Sequence, residues 1–219
     1  MPRRSSAYGK IAVITCAFAC VGDFVVTTII GMVYTGYNSL TDSQSYLGTY
    51  DSPVAIYMNT WEVVLGLLLL TSTWCLYKTG FFKTGQRKVA LCLLAIYAIG
   101  EGIGSGVFPF NHVHHELTAT GWVHSIFSGI GITAMVALSF MLIKLFPAKM
   151  FQRLNKLFVF CAITGFVFIM LCLLSRKNFI EFVGLWQRLY LFAYYVMLIA
   201  LTVYASKAPL GAPQKHSVS

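Results

Sequence analysis

GWVHSIFSGIGITAMVALSFMLI, residues Gly121–Ile143, decides the class of this protein: the stretch contains no Asp, Glu, Lys or Arg. A helix of that length covers about 34 Å at 1.5 Å per residue, enough for a hydrocarbon layer of about 30 Å. Five more stretches share the character, approximately Ile11–Tyr34, Val54–Tyr77, Val89–Pro109, Leu157–Ser175 and Phe179–Ala205. Pro53, Pro109 and Pro147 stand at or just beyond span edges, where a missing N–H costs least. No stretch alternates with period two, which argues against a β-barrel. The expected fold is an all-α bundle of six transmembrane helices.

The rest of the composition agrees. Of the 219 residues, 58% are hydrophobic and 11% charged, against about 25% charged in soluble domains. Mean hydropathy is +0.73.

A net charge of +9 raises the question of nucleic acid, and the placement of the bases answers it. Arg3, Arg4 and Lys10 precede the first span, and Lys78, Lys83, Arg87 and Lys88 fill the connection after the second. Lys144, Lys149, Arg153 and Lys156 flank the connection after the fourth, and Lys207 and Lys215 follow the sixth. The other connections hold only Arg176 and Lys177, while Arg188 lies inside the last span. Such alternation is the positive-inside pattern, so both termini are expected in the cytoplasm and the chain in the cell membrane. No nucleic-acid partner is expected; anionic lipid headgroups are.

The first span is too long for the apolar core of a signal peptide and lacks an A-x-A site, so Met1–Ser219 is read as the mature chain. All six cysteines fall within spans and read as small apolar fillers. The spans form three hairpins in a single domain, followed by a tail at 208–219 whose Pro, Gly and Ser point to flexibility. Trp61, Trp122 and Trp186 fall near the outer ends of their spans, as in an interfacial aromatic belt. Gly100, Gly102, Gly104 and Gly106 make two overlapping small-xxx-small pairs, which let a neighbouring helix come close.

Charges inside spans are costly and usually placed for a reason. Here they are Asp23, Glu62, Glu101 and Arg188, with His124 nearer the interface. Glu62, Glu101 and Arg188 each lie about eight residues, or ~12 Å, from the outer end of their spans. Asp23 is near mid-depth, and the inner half carries no ionisable residue away from its ends, cysteines aside. These five residues are expected to converge on a polar cavity in the outer half. Glu181 and Arg188, seven apart, are expected on one helix face, and His124 and Ser128 on another. The alternative is helix-to-helix pairing alone, at about 0.6–2 kcal/mol per contact. His112, His114 and His115, beside Glu116, are metal-capable side chains, and Zn²⁺ is the ion they would suit. The set lacks diagnostic spacing, and a solvated interfacial cluster explains it as well.

Gly104-Ser105-Gly106-Val107-Phe108-Pro109, then His124, then Gly184-Leu185-Trp186-Gln187-Arg188-Leu189 resemble a bacterial and archaeal membrane family, domain of unknown function nine-nine-eight. The resemblance implies six spans in a prokaryotic cytoplasmic membrane and supplies no activity. Gln187 stands where many relatives are expected to carry Glu. Three functions remain open. One is a binding protein or carrier for a small polar solute or lipid headgroup. Another is a metal-dependent lipid hydrolase, using His112, His114, His115 and His124 with Glu101 as base. The third is an accessory subunit that does no chemistry.

Overall fold

The structure, a computed structural model, describes residues 3–82, 85–113 and 116–207. The tail at 208–219, and with it His114 and His115, lies outside the described residues. Among the described residues six helices are long and apolar enough to cross a membrane, and the chain is a multi-pass membrane protein. They are α1 (Arg3–Val33), α2 (Ala55–Lys78), α3 (Gly85–Val107), α4 (Ala119–Leu145), α5 (Ala148–Arg176) and α6 (Val183–Lys207). Each packs on its neighbours in the chain, and α1 closes on α6, making a ring. The start of α1 and the end of α6 lie at one end of the ring, where Gly9 packs against Ser206. We call this the terminal end and the opposite one the distal end.

Local chemistry sets the helix ends. α2 stops at Gly80, whose φ of +84° suits glycine and whose N–H bonds the Tyr77 carbonyl at 3.1 Å. α5 stops at Asn178, φ +61°, in a Schellman arrangement: Asn178 N–H donates to Ser175 O and Phe179 N–H to Leu174 O. This stop shortens α6, which starts at Val183 instead of Phe179. Glu181 therefore lies outside the helix, and it does not share a face with Arg188. At the other end α5 begins directly after Pro147, so Lys149, Arg153 and Lys156 ride on helix and not on a loop. The Asn155 amide donates to Phe146 O (2.8 Å) and Ile143 O (3.2 Å), capping the carbonyl end of α4.

α3 is not a uniform helix. It is α-helical over Gly85–Tyr97, π-helical over Ala98–Gly104 and α-helical again at Ser105–Val107. The Ser105 hydroxyl donates to the Gly100 carbonyl, five residues back, at 3.2 Å. The four glycines of this stretch divide between two neighbours. A Cβ at Gly102 would stand 2.5 Å from Gly66 Cα, and one at Gly106 2.6 Å from Asn59 O, both on α2. A Cβ at Gly100 would stand 2.6 Å from Phe127 O on α4, and one at Gly104 would run into the Phe127 ring. α3 is thus wedged between two helices at backbone contact, the approach that small residues allow in lipid.

The ring is filled differently at its two ends. Toward the terminal end Leu69, Leu76, Leu94, Leu138, Leu142, Met197 and Leu198 are fully buried around Phe82, Phe146 and Phe158. Toward the distal end the connection after α1 folds inward. Its 3₁₀ turn, Gln44–Gly48, buries Gln44 and Leu47 in the mouth of the ring. A short hairpin, His112–Val113 against Glu116–Leu117, joins α3 to α4.

Candidate functional site

Two cavities adjoin in the distal half. The smaller, about 20 Å³, is lined by Asp23 of α1, Glu62 of α2, Glu101 and Ser105 of α3 and His124 of α4. Gln187 and Tyr195 of α6 complete it, with Gln44 of the inward turn. Of the five residues expected to converge, four do so, each from a different helix. Among the described residues no Lys or Arg lines this pocket.

All but one of the carboxyl, amide and imidazole groups here have a definite set of partners. Asp23 accepts from Trp61 Nε1–H at 2.9 Å and from the Tyr195 hydroxyl at 3.0 Å, and Tyr97 donates in turn to Tyr195 at 3.4 Å. Glu101 Oε2 accepts from the Ser128 hydroxyl at 2.6 Å. His124 Nδ1 faces two carbonyls, Phe108 O at 2.9 Å and Ser105 O at 3.1 Å. Carbonyls only accept, so Nδ1 carries the hydrogen and Nε2 is left for the cavities that the ring lines. Gln44 is held by both ends, its backbone N–H on Gln187 Oε1 (2.8 Å) and its amide on Thr27 Oγ1 (3.1 Å). Glu62 Oε2 is buried without a hydrogen-bond partner among the described residues.

Arg188 is the exception. It does not line the pocket, and the expected convergence of Arg188 with Glu101 and His124 fails. Its guanidinium turns to the distal connection, donating to Ser39 O (2.7 Å), Gly184 O (3.0 Å) and the Tyr37 hydroxyl (2.8 Å). Leu185 N–H adds a bond to Leu40 O at 3.0 Å, so α6 holds the connection down along its first turn. Burial pushes the Tyr37 phenol above its ordinary value, with Arg188 pulling the other way. A long side chain at that depth reaches loop carbonyls more cheaply than it crosses the ring, because the carbonyls need donors anyway.

Trp61 also departs from its expected place. It is only 8% exposed and bonded to Asp23, whereas Trp122, 60% exposed, keeps the position of a belt residue. Position along a helix was readable in the sequence; direction around it was not. Tyr195 and Gln44, both essential to the pocket, gave no signal, since a tyrosine in a span or a glutamine in a loop is unremarkable alone.

The larger cavity, about 830 Å³, lies between α4 and α5 and is backed by α6. Its deeper wall is apolar: Ile132, Val136, Phe166, Ile169 and Met170. Toward the distal end it turns polar, with Ser125, Ser128, His124, Ser43, Ser45 and two charged residues, Asp42 of the distal connection and Arg176 at the end of α5. Phe166, Met170 and Leu173 are partly exposed beside it, so the cavity opens sideways between two neighbouring helices of the ring. His124 and Ser45 line both cavities, and the Ser128–Glu101 hydrogen bond links their walls.

His112 packs against Tyr46 and Phe110, with its Nδ1 buried and without a partner among the described residues. Among the described residues no group of three or more His, Cys, Asp or Glu side chains is placed to hold a metal ion. Residues 17–204 match the family model described as protein of unknown function (DUF998). No curated protein and no solved structure matches the chain.

Proposed function

The chain belongs to the DUF998 family of membrane proteins, which hands on no activity, and from the site we propose a membrane-embedded binding protein or carrier for a lipid-like ligand. The observation that carries this reading is the gradient along the 830 Å³ cavity, from an apolar wall at mid-depth to hydroxyls and Arg176 at the distal end. Its volume is that of ligand sites, about 300–1,000 Å³. A ligand with an acyl chain and a polar headgroup matches the gradient when it enters sideways with its head toward the distal end. Arg176 offers donors to an anionic headgroup there.

Gly129 provides the test. It lines the cavity, and a Cβ added there meets nothing within 4 Å. Gly129→Phe should therefore fill the cavity while leaving the bundle intact. Native mass spectrometry of protein purified in mild detergent should find lipid on the wild type and little on the variant. Equal retention by both, or none by the wild type, refutes the reading.

The distribution of bases supports a terminal end that faces the cytoplasm of the cell membrane. In a cysteine-free background, Asp51→Cys should react with an impermeant maleimide on intact cells and Lys149→Cys only after permeabilisation. The reverse pattern inverts the topology.

A further inference from the structure

Hydrogen-bond partners separate the three carboxyl groups of the small pocket. Asp23 receives two donors and Glu101 one. Glu62, only 9% exposed, receives none, and its buried Oε2 has no partner. An ionised carboxylate only accepts hydrogen bonds, so it needs donors or a cation around it, and Glu62 has neither among the described residues. Three ionised carboxylates sharing one pocket in a low-dielectric interior repel one another, without a Lys or Arg in the lining to compensate.

The pocket itself narrows what restores the balance. About 20 Å³ admits roughly one water molecule and excludes an organic ammonium group. A metal ion needs several ligands converging on a point, and no such group of three is placed to hold one among the described residues. A proton needs neither space nor a coordination shell. We infer that Glu62 is a proton-binding group that exchanges protons with the distal end alone. The step is the addition of H⁺ to a carboxylate oxygen, giving a neutral acid with one O–H donor.

The route follows from the two cavities. Glu101 lies between Glu62 and the Ser128 hydroxyl, and His124 offers Nε2 where the cavities meet. Below the pocket the core is closed by Leu69, Leu94, Leu138 and Met197. Of the hydroxyls buried at that level, those of Ser72, Ser139 and Thr202 are given to backbone carbonyls, while that of Tyr194 is buried without a partner among the described residues. The titratable groups around Glu62 are Asp23, with Cys20 beside it, on α1, Tyr97 and Glu101 on α3, His124 on α4 and Tyr195 on α6. Arg188 is given to the distal connection, and Arg176 of α5 stands in the larger cavity. The inference holds whatever ligand that cavity takes.

Infrared spectroscopy of the protein in nanodiscs tests it, because a protonated carboxyl has a C=O band that carboxylates lack. At neutral pH the wild type should show this band and Glu62→Gln should lose it, while Glu181→Gln, at an exposed position, keeps it. Should Glu62→Gln fail to fold, Glu101→Gln gives the second reading. Removing a neighbouring negative charge weakens proton binding, so its band should vanish at a lower pH than that of the wild type. Replacing potassium by sodium at constant ionic strength should leave the band unchanged. Gly129→Phe should slow its shift in D₂O severalfold. The inference is overturned if the wild type has no band, if Glu62→Gln retains it, if Glu101→Gln does not move its pH, or if sodium abolishes it. An unchanged D₂O rate in Gly129→Phe overturns the route.

Discussion

The two halves of this bundle solve opposite problems. In the terminal half, leucines and phenylalanines interlock with their polar neighbours' hydroxyls folded back onto backbone carbonyls. In the distal half, five helices and a loop turn direct carboxyl, amide and imidazole groups into a shared space. Lipid tails are as apolar as leucine, so packing carries the first region, with few bonds between helices such as Ser72 Oγ–H to Ala12 O. The second is held by hydrogen bonds across helices. One half is closed by side chains, and the other keeps space between them.

The largest effect should come from the wedge that joins the halves. In Gly102→Leu the new side chain meets the Gly66 backbone at a distance no rotamer relieves. A loss of about 3 kcal/mol, or failure to recover folded protein, is expected from such overpacking. Thermal unfolding in detergent measures it against Gly129→Leu, which should melt like the wild type. Two alike melting curves would mean that α3 is not wedged.

Next come paired substitutions, one in each half. Leu138→Ala should cost about 2 kcal/mol in lost contacts without changing lipid retention. Trp61→Phe keeps the apolar ring but removes a donor from Asp23, at about 1–2 kcal/mol. That cost should fall when Asp23→Asn is already present, because the two share one interaction. Additive costs would separate Trp61 from the polar network.

Arg188→Gln should have the smallest effect on stability, about 1 kcal/mol, because its partners lie in a loop near water. Its mark should instead be local. Ser45→Cys, introduced with it, should react faster with a maleimide than in the Arg188 background, as the inward turn loosens. Equal rates would show that Gln44 and Leu185 hold the loop without the arginine.

What the sequence disclosed, and what it withheld, divides along a physical line. Span length and apolarity are local properties, so all six helices were legible from runs such as Gly121–Ile143. The depth of Glu62, Glu101 and His124 was legible too, because rise per residue is fixed. Azimuth was not: the distance of Arg188 from the helix end says nothing of whether it faces the ring or a loop. The π-helical turn at Ala98–Gly104 was equally silent. Four glycines at even spacing leave no hydrophobic period to count, and only the packing on both sides shows which neighbour each one meets. The stop at Asn178 was written in the chain as a residue that tolerates positive φ, yet the apolar run beginning at Phe179 masked it.

The sideways opening between α4 and α5 also fixes the units in which this protein must be measured. A ligand that arrives through the bilayer is dissolved in lipid, not in buffer, and the protein samples it in two dimensions. Binding constants expressed per litre would drift with the quantity of membrane in the tube. Expressed as a mole fraction of lipid, they would stay constant, and a ligand too scarce to detect in water would still saturate the site.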